Sequence, residues 1–573
     1  MNTASTATSS LFLDRLRQHA DCNASKTAFR FLGDGYEVSD TLSFGEVWDI
    51  SGRFARQLKS ATAPGSRALL CFQPGLDFVL AFLGCLRARV IAVPAYLPHP
   101  RRDDPRLRAI LDDCTASILI ASETTLQKRR GAFDQTIDEL DVKRIPFDRA
   151  ELGPPSDQET NFADSDAIAF LQYTSGSTGT PKGVCVTHSN LSANASIIQQ
   201  AFAMDERSIV VSWLPTHHDM GLVGDTLETL FCGGTSIKMP PSVFLRDPIS
   251  WLEAISTYQA TIAGAPNFAF GLCAERSGDE RCKKLSFAHW EVAYCGAEPI
   301  QAKSMGDFYA GFRDAGLSLQ SLFPCYGMAE ATLFVSGGPR GRGPRFRHQN
   351  LRPAGINDAV NSSGHNHPFV GSGTPGTGLK VRVCDSNSKA VLPNGETGEI
   401  YVSGDNIAPG YWQKKSLQPN DHRVEMADGQ RMMPTGDLGF LIDGELYVTG
   451  RLKDLIVVRG RKIYPQDVEQ CTRDAIGLPE AFRVAAFETP VNSGKYSIAL
   501  ETPRHLDTAQ LDHWKQIINA KVSSNFGACP ETIIEVARGN IPVTTSGKIQ
   551  RSECPRVFGA PKSPSQAFFK RQD

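Results

Sequence analysis

Apolar positions recur along the chain in two alternating rhythms. ALLCF at 68–72 is a short, nearly continuous apolar run and predicts a buried strand. DFVLAFLGCLRA at 77–88 is long enough for a largely buried helix, and VIAVPAY at 90–96 predicts a second strand, ended by PHPRRDDP. Ahead of them, Ser43 and Glu46 have capping-box spacing, with Val47, Phe54 and Leu58 following on one helical face. Strand, helix, strand in this order predicts a parallel sheet with helices on its faces. The rhythm continues with AIAFLQY at 167–173, a helix after Asn190 and strands near 208–213 and 291–295. Residues 337–373 break it: rich in glycine and basic residues and poor in apolar ones, they read as an insertion or long surface loop. Short alternating strands with Gly-rich turns fill 380–450. From 454 to 573 the pattern is a small α+β unit. VAAFE (484–488) and SIALE (497–501) are its strands. Its helix starts at a capping box of Asp507 and Gln510 and carries Leu511, Trp514, Ile518 and Val522 on one face.

A chain of 573 residues exceeds one hydrophobic core, so at least two domains are expected. The fold class is α/β: a large N-terminal domain over 1–452, with βαβ-type sheets, a small β-rich subdomain and the 337–373 insertion, then a small mobile α+β domain over 453–573. A formal charge of −2 carries no basic excess for nucleic acid. The N-terminal LFLDRLRQ is charged too early for a signal-peptide core, and no run approaches a membrane span. The 14 cysteines are scattered, without C-x-x-C or a paired histidine cluster. That spacing supports neither a zinc site nor a disulfide framework, and points to a reducing cytoplasm.

The stretch YTSGSTGTPKGV at 173–184 has a composition suited to phosphate. Gly176, Gly179 and Gly183 allow close backbone approach, Ser175, Ser177, Thr178 and Thr180 add hydroxyls, and Lys182 adds a point charge. A flexible Ser/Gly linker would not be followed at once by Pro181, Lys182 and an apolar strand. Nor is this a Walker loop, which requires Gly where Pro181 stands.

Other segments carry chemistry less specifically on their own. LPTHHDMGL at 214–222 sets His217, His218 and Asp219 side by side; on a strand, neighbours face opposite ways and rarely share one metal ion. GAEP at 296–299 follows a strand, and YGMAEA spans 326–331. Glu330 alone reads as a helix-start carboxylate, and Asp437 in TGDLG (435–439) as a turn aspartate bonded to nearby backbone. RGRKIYPQDVE at 459–469 reads as a charged turn and a helix start, and Lys548 in TTSGKIQR (544–551) as a surface lysine.

Taken together and in this order, these motifs closely resemble the adenylate-forming superfamily of acyl- and aryl-CoA synthetases, nonribosomal adenylation domains and fatty acyl-AMP ligases. The resemblance runs nearly end to end. It implies that Thr174, Ser175, Gly176, Ser177, Thr178, Gly179, Thr180 and Lys182 grip the β- and γ-phosphates of ATP. Gly296, Ala297, Glu298 and Pro299, with Tyr326, Gly327, Met328 and Ala329, would border the adenine, Tyr326 stacking on the purine. Glu330 would hold Mg²⁺, Asp437 the ribose hydroxyls, and Arg451 the ribose or phosphate. Lys453 falls at the family's hinge. His218 would lie near the acyl carboxylate and the α-phosphate, with Asp219, Met220 and Gly221 toward the mouth of an acyl tunnel. Lys548 would bridge carboxylate and α-phosphate as negative charge develops.

HDMGL, RGRKIYPQDVE and the 337–373 insertion are most similar to fatty acyl-AMP ligases. These activate a fatty acid with ATP and pass the acyl group to the phosphopantetheine thiol of an acyl carrier protein. In those ligases the insertion is linked to poor use of CoA through hindered domain rotation. A long-chain acyl-CoA synthetase remains the alternative, and a non-catalytic nucleotide- or lipid-binding homologue a third. The last predicts loss of an essential side chain, whereas Lys548, Glu330 and Asp437 are all present.

Overall fold

The computed structural model describes residues 11–34, 36–97, 105–128, 137–139, 141–154, 164–174, 181–348, 352–356, 358, 368–413, 418–459, 461–490, 493–502, 506–544 and 547–559. Among them, two large sheets form the N-terminal region. One has seven strands, in the order Leu322–Pro324, Val292–Gly296, Ile262–Pro266, Ile209–Ser212, Thr235–Lys238, Thr27–Leu32 and Val38–Ser43. The other has eight and centres on Ile168–Thr174, Ile91–Ala95, Arg67–Cys71 and Ile118–Ser122. Both are parallel over most of their width, as the βαβ rhythm requires, but each turns antiparallel toward one end. Val38–Ser43 pairs antiparallel with Thr27–Leu32, and Lys182–Thr187 pairs antiparallel with Ile168–Thr174. The parallel pairing expected for the 40–150 region is present, Arg67–Cys71 pairing parallel with Ile91–Ala95 and with Ile118–Ser122, while hairpins elsewhere make each whole sheet mixed.

Period-2 alternation explains the core. Ala68 and Leu70 face the large core between the sheets, while Leu69 and Cys71 face a second cluster on the outer side. Asp77–Ala88 is buried on every side, as its unbroken apolar run predicts. The box at Ser43 is complete: the Ser43 hydroxyl accepts from Glu46 N–H, and Glu46 accepts from Ser43 N–H at 2.7 Å. The helix expected after Asn190 is His188–Phe202; it starts earlier because Thr187 caps it through Asn190.

The β-rich part is built on Lys380–Cys384, Gly398–Ser403, Arg431–Ile442 and Glu445–Arg451. The described part of the 337–373 segment is not simply a loop. Phe346–Arg347 pairs with Pro353–Ala354 and Phe369–Val370, and buries Phe346 and Val370. At the C-terminal end, Val484–Glu488, Tyr496–Thr502 and Thr532–Ala537 form a three-stranded sheet with a hydrophobic cluster on each face. Those clusters contain only residues from Ile456 onward. Asp507 caps Thr508–Phe526 by accepting from Gln510 N–H at 2.8 Å, and that helix buries Ile518, Val522 and Phe526. All 14 cysteines are free. Among the described residues no helix is long and apolar enough to cross a membrane.

Candidate functional site

A cavity of about 1790 Å³ lies between the large N-terminal region and the C-terminal unit and takes its walls from both. Its phosphate-suited end is set by a hairpin. Ile168–Thr174 and Lys182–Thr187 pair antiparallel with Thr174 opposite Lys182, so residues 175–181 connect two neighbouring strand ends. Thr174 and Lys182 line the cavity; Ser175, Gly176, Ser177, Thr178, Gly179 and Thr180 lie outside the described residues. The Lys182 ammonium stands 5.2 Å from the centre of the Tyr411 ring, a cation–π contact. Tyr411 reaches this position because its strand pairs with Val184 beside the loop. Its hydroxyl donates to Glu330 Oε1 at 2.7 Å, leaving the second carboxylate oxygen for another partner. Glu330 sits in a short 3₁₀ turn, Ala329–Ala331.

A second group gathers around Asp437. The sequence suggests a tight turn at TGDLG, but these residues lie inside the twelve-residue strand Arg431–Ile442. Gly436 bends that strand at φ +71°, where glycine avoids the steric cost of a side chain. Asp437 accepts from Tyr326 Oη at 2.6 Å and meets Arg451 Nε at 3.0 Å, Arg451 being its cross-strand partner. Burial, with the Asp437 charge beside it, pushes the Tyr326 hydroxyl well above the ordinary phenol range. The Asp437 charge raises the Arg451 guanidinium above its usual range. Glu399 accepts from Gly436 N–H at 3.2 Å and fixes the bend from below.

The third group is at LPTHHDMGL. The strand expected there is absent: Ile209–Ser212 ends first, and a turn leads into the helix Met220–Leu227. That helix is π-type, with Glu228 N–H bonded to Val223 C=O, a geometry often found at functional sites. His218 Nδ1 is 2.6 Å from Asp219 Oδ1, and Asp219 also accepts from Met220 N–H at 2.8 Å. Burial alone would raise the Asp219 carboxyl; the charges of His218 and Lys548 and these hydrogen bonds outweigh it and hold it at about 2. His217, partly buried on the cavity wall, is pushed down to about 3, chiefly by desolvation. It is therefore a neutral ring at ordinary pH.

Lys548 comes from the other side of the cavity. Thr544 N–H donates to Lys548 C=O at 2.7 Å and Gly547 N–H to Thr544 C=O at 2.9 Å, a tight loop with Gly547 at φ +86°. Burial lowers the Lys548 ammonium below its usual range, Asp219 pulls it back up, and Arg451, Glu298 and Asp437 are its other charged neighbours. Glu298 accepts from Phe268 N–H at 2.7 Å, and its carboxyl is raised by burial. The sequence alone leaves Lys548 a surface lysine; the fold puts it in a cleft lined by carboxylates.

The loop bearing Lys548 is clasped from behind. Arg551 Nε and Nη2 each meet one oxygen of Glu469 at 2.7 Å, and Arg551 Nη1 is 3.5 Å from Asp454 Oδ2. Glu469 Oε1 also accepts from Ala486 N–H at 3.0 Å. Glu469 ends RGRKIYPQDVE and Arg551 ends TTSGKIQR, so the last residues of two motifs that looked separate in sequence form one ion pair.

Thr174, Lys182, His218, Asp219, Met220, Gly296, Ala297, Glu298, Pro299, Tyr326, Gly327, Met328, Ala329, Glu330, Asp437, Arg451, Lys453 and Lys548 thus all line one cavity. Gly221 does not: a Cβ there would meet Pro215 O at 2.4 Å, so it serves close packing, and Gly224 faces the cavity instead. Sequence reasoning did not single out Tyr411, Glu399, Glu469, Arg551, Asp454 or Gly224. Only Glu469 and Arg551 carried a signal, as the charged ends of specific motifs. No group of three His, Cys, Asp or Glu side chains converges among the described residues. A cation here would complete one carboxylate with phosphate and water, the manner of Mg²⁺.

Residues 16–412 match the family model described as AMP-binding enzyme. A medium-chain-fatty-acid–acyl-carrier-protein ligase of Moorena producens is 33% identical over 564 residues, covering 95% of this chain and 94% of its own. A long-chain-fatty-acid–AMP ligase of Mycobacterium tuberculosis is 32% identical over 567 residues, covering 94% and 95%. Among solved structures, one from studies of fatty acyl-adenylate ligases of E. coli and L. pneumophila superimposes with TM-score 0.82 at 28% identity, covering 96% of this chain and 97% of that one. The L. pneumophila fatty acyl-adenylate ligase in complex with acyl adenylate and pyrophosphate gives TM-score 0.70 at 33% identity, with 95% of each chain covered.

Proposed function

The chain belongs to the AMP-binding enzyme family, and we propose that within it the protein is a fatty acyl-AMP ligase. A fatty acid and ATP give an acyl-adenylate and pyrophosphate. The acyl group then passes to the phosphopantetheine thiol of an acyl carrier protein. The observation that carries this reading is the convergence of Lys548 with Asp219, Glu298, Asp437 and Arg451 in one cavity. A half-buried ammonium facing two carboxylate-bearing walls is placed to hold two anions, a fatty carboxylate and an α-phosphate, that would otherwise repel.

Asp437 is the acceptor for two ribose hydroxyls, exchanging its bond to Tyr326 for them, and Arg451 stays beside it. Thr174 and Lys182 bracket the loop that receives the β- and γ-phosphates. The segments 296–299 and 326–329 border the base. Glu330, held by Tyr411, offers one oxygen to Mg²⁺, which when bound would neutralise phosphate charge. Asp219 holds His218 with one nitrogen toward the acyl carboxylate. The boundary between the two moving parts falls at Lys453, next to Asp454 of the clasp, and 453–573 turns about it between half-reactions. Free cysteines throughout are consistent with a cytoplasmic enzyme.

The test is pyrophosphate release across a fatty-acid series, followed by discharge of the adenylate to holo carrier protein or to CoA. Release that depends on fatty acid, with discharge to the carrier, is expected. No release with any fatty acid would overturn the reading, and efficient discharge to free CoA would make the protein an acyl-CoA synthetase instead.

A further inference from the structure

The helix Asn267–Glu275 belongs to the large N-terminal region, and its two faces do different work. Ala269, Phe270 and Cys273 point into the core and are fully buried. Phe268, Gly271 and Glu275, spaced three and four residues apart, share the other face, and each meets the C-terminal unit. The Phe268 ring borders the Lys548 loop: a Cβ at Gly547 would stand 3.6 Å from Phe268 Cε1. A Cβ at Gly271 would stand 3.1 Å from Glu480 Cγ, tighter than ordinary packing allows. Glu275 Oε1 accepts from Glu480 N–H at 2.6 Å. Glycine is a poor helix former, so Gly271 costs this helix stability that alanine or leucine would restore. What the glycine provides instead is the close approach of Glu480.

From Glu480 the contact is carried to the reacting end through the C-terminal unit itself. Arg473 Nη1 donates to Pro479 C=O at 3.0 Å and to Phe482 C=O at 2.7 Å, and Arg473 Nε is 3.5 Å from Glu480 Oε1. The turn around Glu480 is thereby tied to the helix Pro465–Ile476, which carries Arg473. One turn earlier on that helix is Glu469, which grips Arg551 and with it the Lys548 loop. The turn at Glu480 and the loop at Lys548 are thus parts of one framework, and a single helix of the large region supports both. We propose that Glu275 and Gly271 are positioning residues, which seat the C-terminal unit so that Lys548 reaches across the cavity toward Asp219 and Glu298. Their effect on the reaction rests on the fatty-acid adenylation proposed above, whereas the seat rests on these contacts alone.

The experiment takes two readouts on the full-length enzyme. The first is amide hydrogen exchange over 478–482, read by mass spectrometry without any substrate. Glu275→Ala and Gly271→Leu should speed exchange there about fivefold or more, while the strand Val484–Glu488 stays as protected as in the wild type and shows the unit still folded. The second readout is pyrophosphate release from ATP and fatty acid, beside discharge of added acyl-adenylate to holo carrier protein. Gly271→Leu, a wedge under Glu480, should slow release about tenfold, and Glu275→Ala about threefold. Glu275→Gln keeps an acceptor and should hold release within about twofold, and discharge should be unchanged in all three. The milder Gly271→Ala should have no further effect once Glu480→Ala is present, because the clash needs both side chains. Unchanged exchange in Gly271→Leu and Glu275→Ala would overturn the seat. Wild-type release from both, or equal losses in release and discharge, would overturn the positioning role while leaving adenylation standing. Absence of wild-type release with every fatty acid would instead remove the adenylation reading, and exchange would then decide the seat by itself.

Discussion

Glu469 and its partner Arg551 lie on the cavity wall behind Lys548; the clasp makes Glu469 a positioning residue for Lys548, and Glu469→Gln isolates that role. The substitution keeps the side chain's shape while removing its charge and one of its two acceptors toward Arg551. Both Arg551 contacts are 2.7 Å, and the side chains are 16% and 9% exposed, so water screens the pair only weakly. A hydrogen bond to a charged partner contributes about 1.5–3 kcal/mol. Asp454 at 3.5 Å remains as a second counter-charge and keeps the loss within that range rather than at that of an orphaned buried charge. If the loss falls on the docked population of the 544–551 loop, adenylation slows about 10- to 100-fold, at 1.36 kcal/mol per tenfold. The assay is steady-state pyrophosphate release, with a separate single-turnover transfer from added synthetic acyl-adenylate to holo carrier protein. In the proposed mechanism Lys548 acts in the first step, so kcat for release should fall, KM for ATP should stay within about twofold, and transfer should be unchanged. Equal losses in both half-reactions, or no loss in the first, would refute the positioning role. Arg551→Lys, a point charge without the fork, should recover only part of the rate.

Lys548→Ala should abolish pyrophosphate release while ATP still binds, measured by calorimetry; near-normal release would remove Lys548 from the chemistry. Burial lowers the Lys548 pKa and Asp219 raises it, and the lysine is useful only when protonated. Asp219→Asn should therefore move the alkaline limb of the adenylation rate to lower pH, read from rate profiles of both proteins; a shift to higher pH would contradict the sign. Tyr411→Phe removes the donor that orients Glu330, a bond to a charged group of about 1.5–3 kcal/mol, and should raise the Mg²⁺ concentration for half-maximal release at least about tenfold. Arg342→Gln leaves Glu445, 1% exposed, without its bidentate partner and should lower stability by about 3–5 kcal/mol, seen as a lower Tm with little change in KM for ATP.

The chemistry of this protein is legible in sequence where backbone and side chain are used together. TGDLG and TTSGKIQR each need a glycine at positive φ, Gly436 and Gly547, to present the acidic or basic residue beside it. Strands at 67–71, 91–95 and 484–488 were legible because they are buried on both faces and read as unbroken apolar runs. The π-helix at 220–227 was not, since no periodic signal separates it from an α-helix. Its consequence, Gly224 rather than Gly221 on the cavity wall, was equally hidden. Tyr411 was invisible for a different reason: it acts through Glu330, more than 80 residues away, and pairing at that distance is written in topology rather than in local pattern.

The 337–373 segment shows how the same topology redirects a functional argument. An insertion that hinders rotation of a small domain is most simply imagined as bound to that domain. Here the described anchors are all on the other side. Arg342 grips Glu445 through both guanidinium nitrogens, at 2.7 and 2.8 Å, Gly373 N–H donates to the same carboxylate at 3.0 Å, and Arg347 meets Asp443 at 2.9 Å. Glu445 opens the strand Glu445–Arg451, and that strand runs through Arg451, at the Asp437 site, directly into Lys453 and Asp454. A segment whose described residues fasten at one end of this strand would stiffen the approach to the proposed hinge at Lys453. Any restraint it exerts on acceptor choice would therefore act through the rigidity of 445–454, and would be felt first by Asp454 and the Arg551 clasp that holds the Lys548 loop.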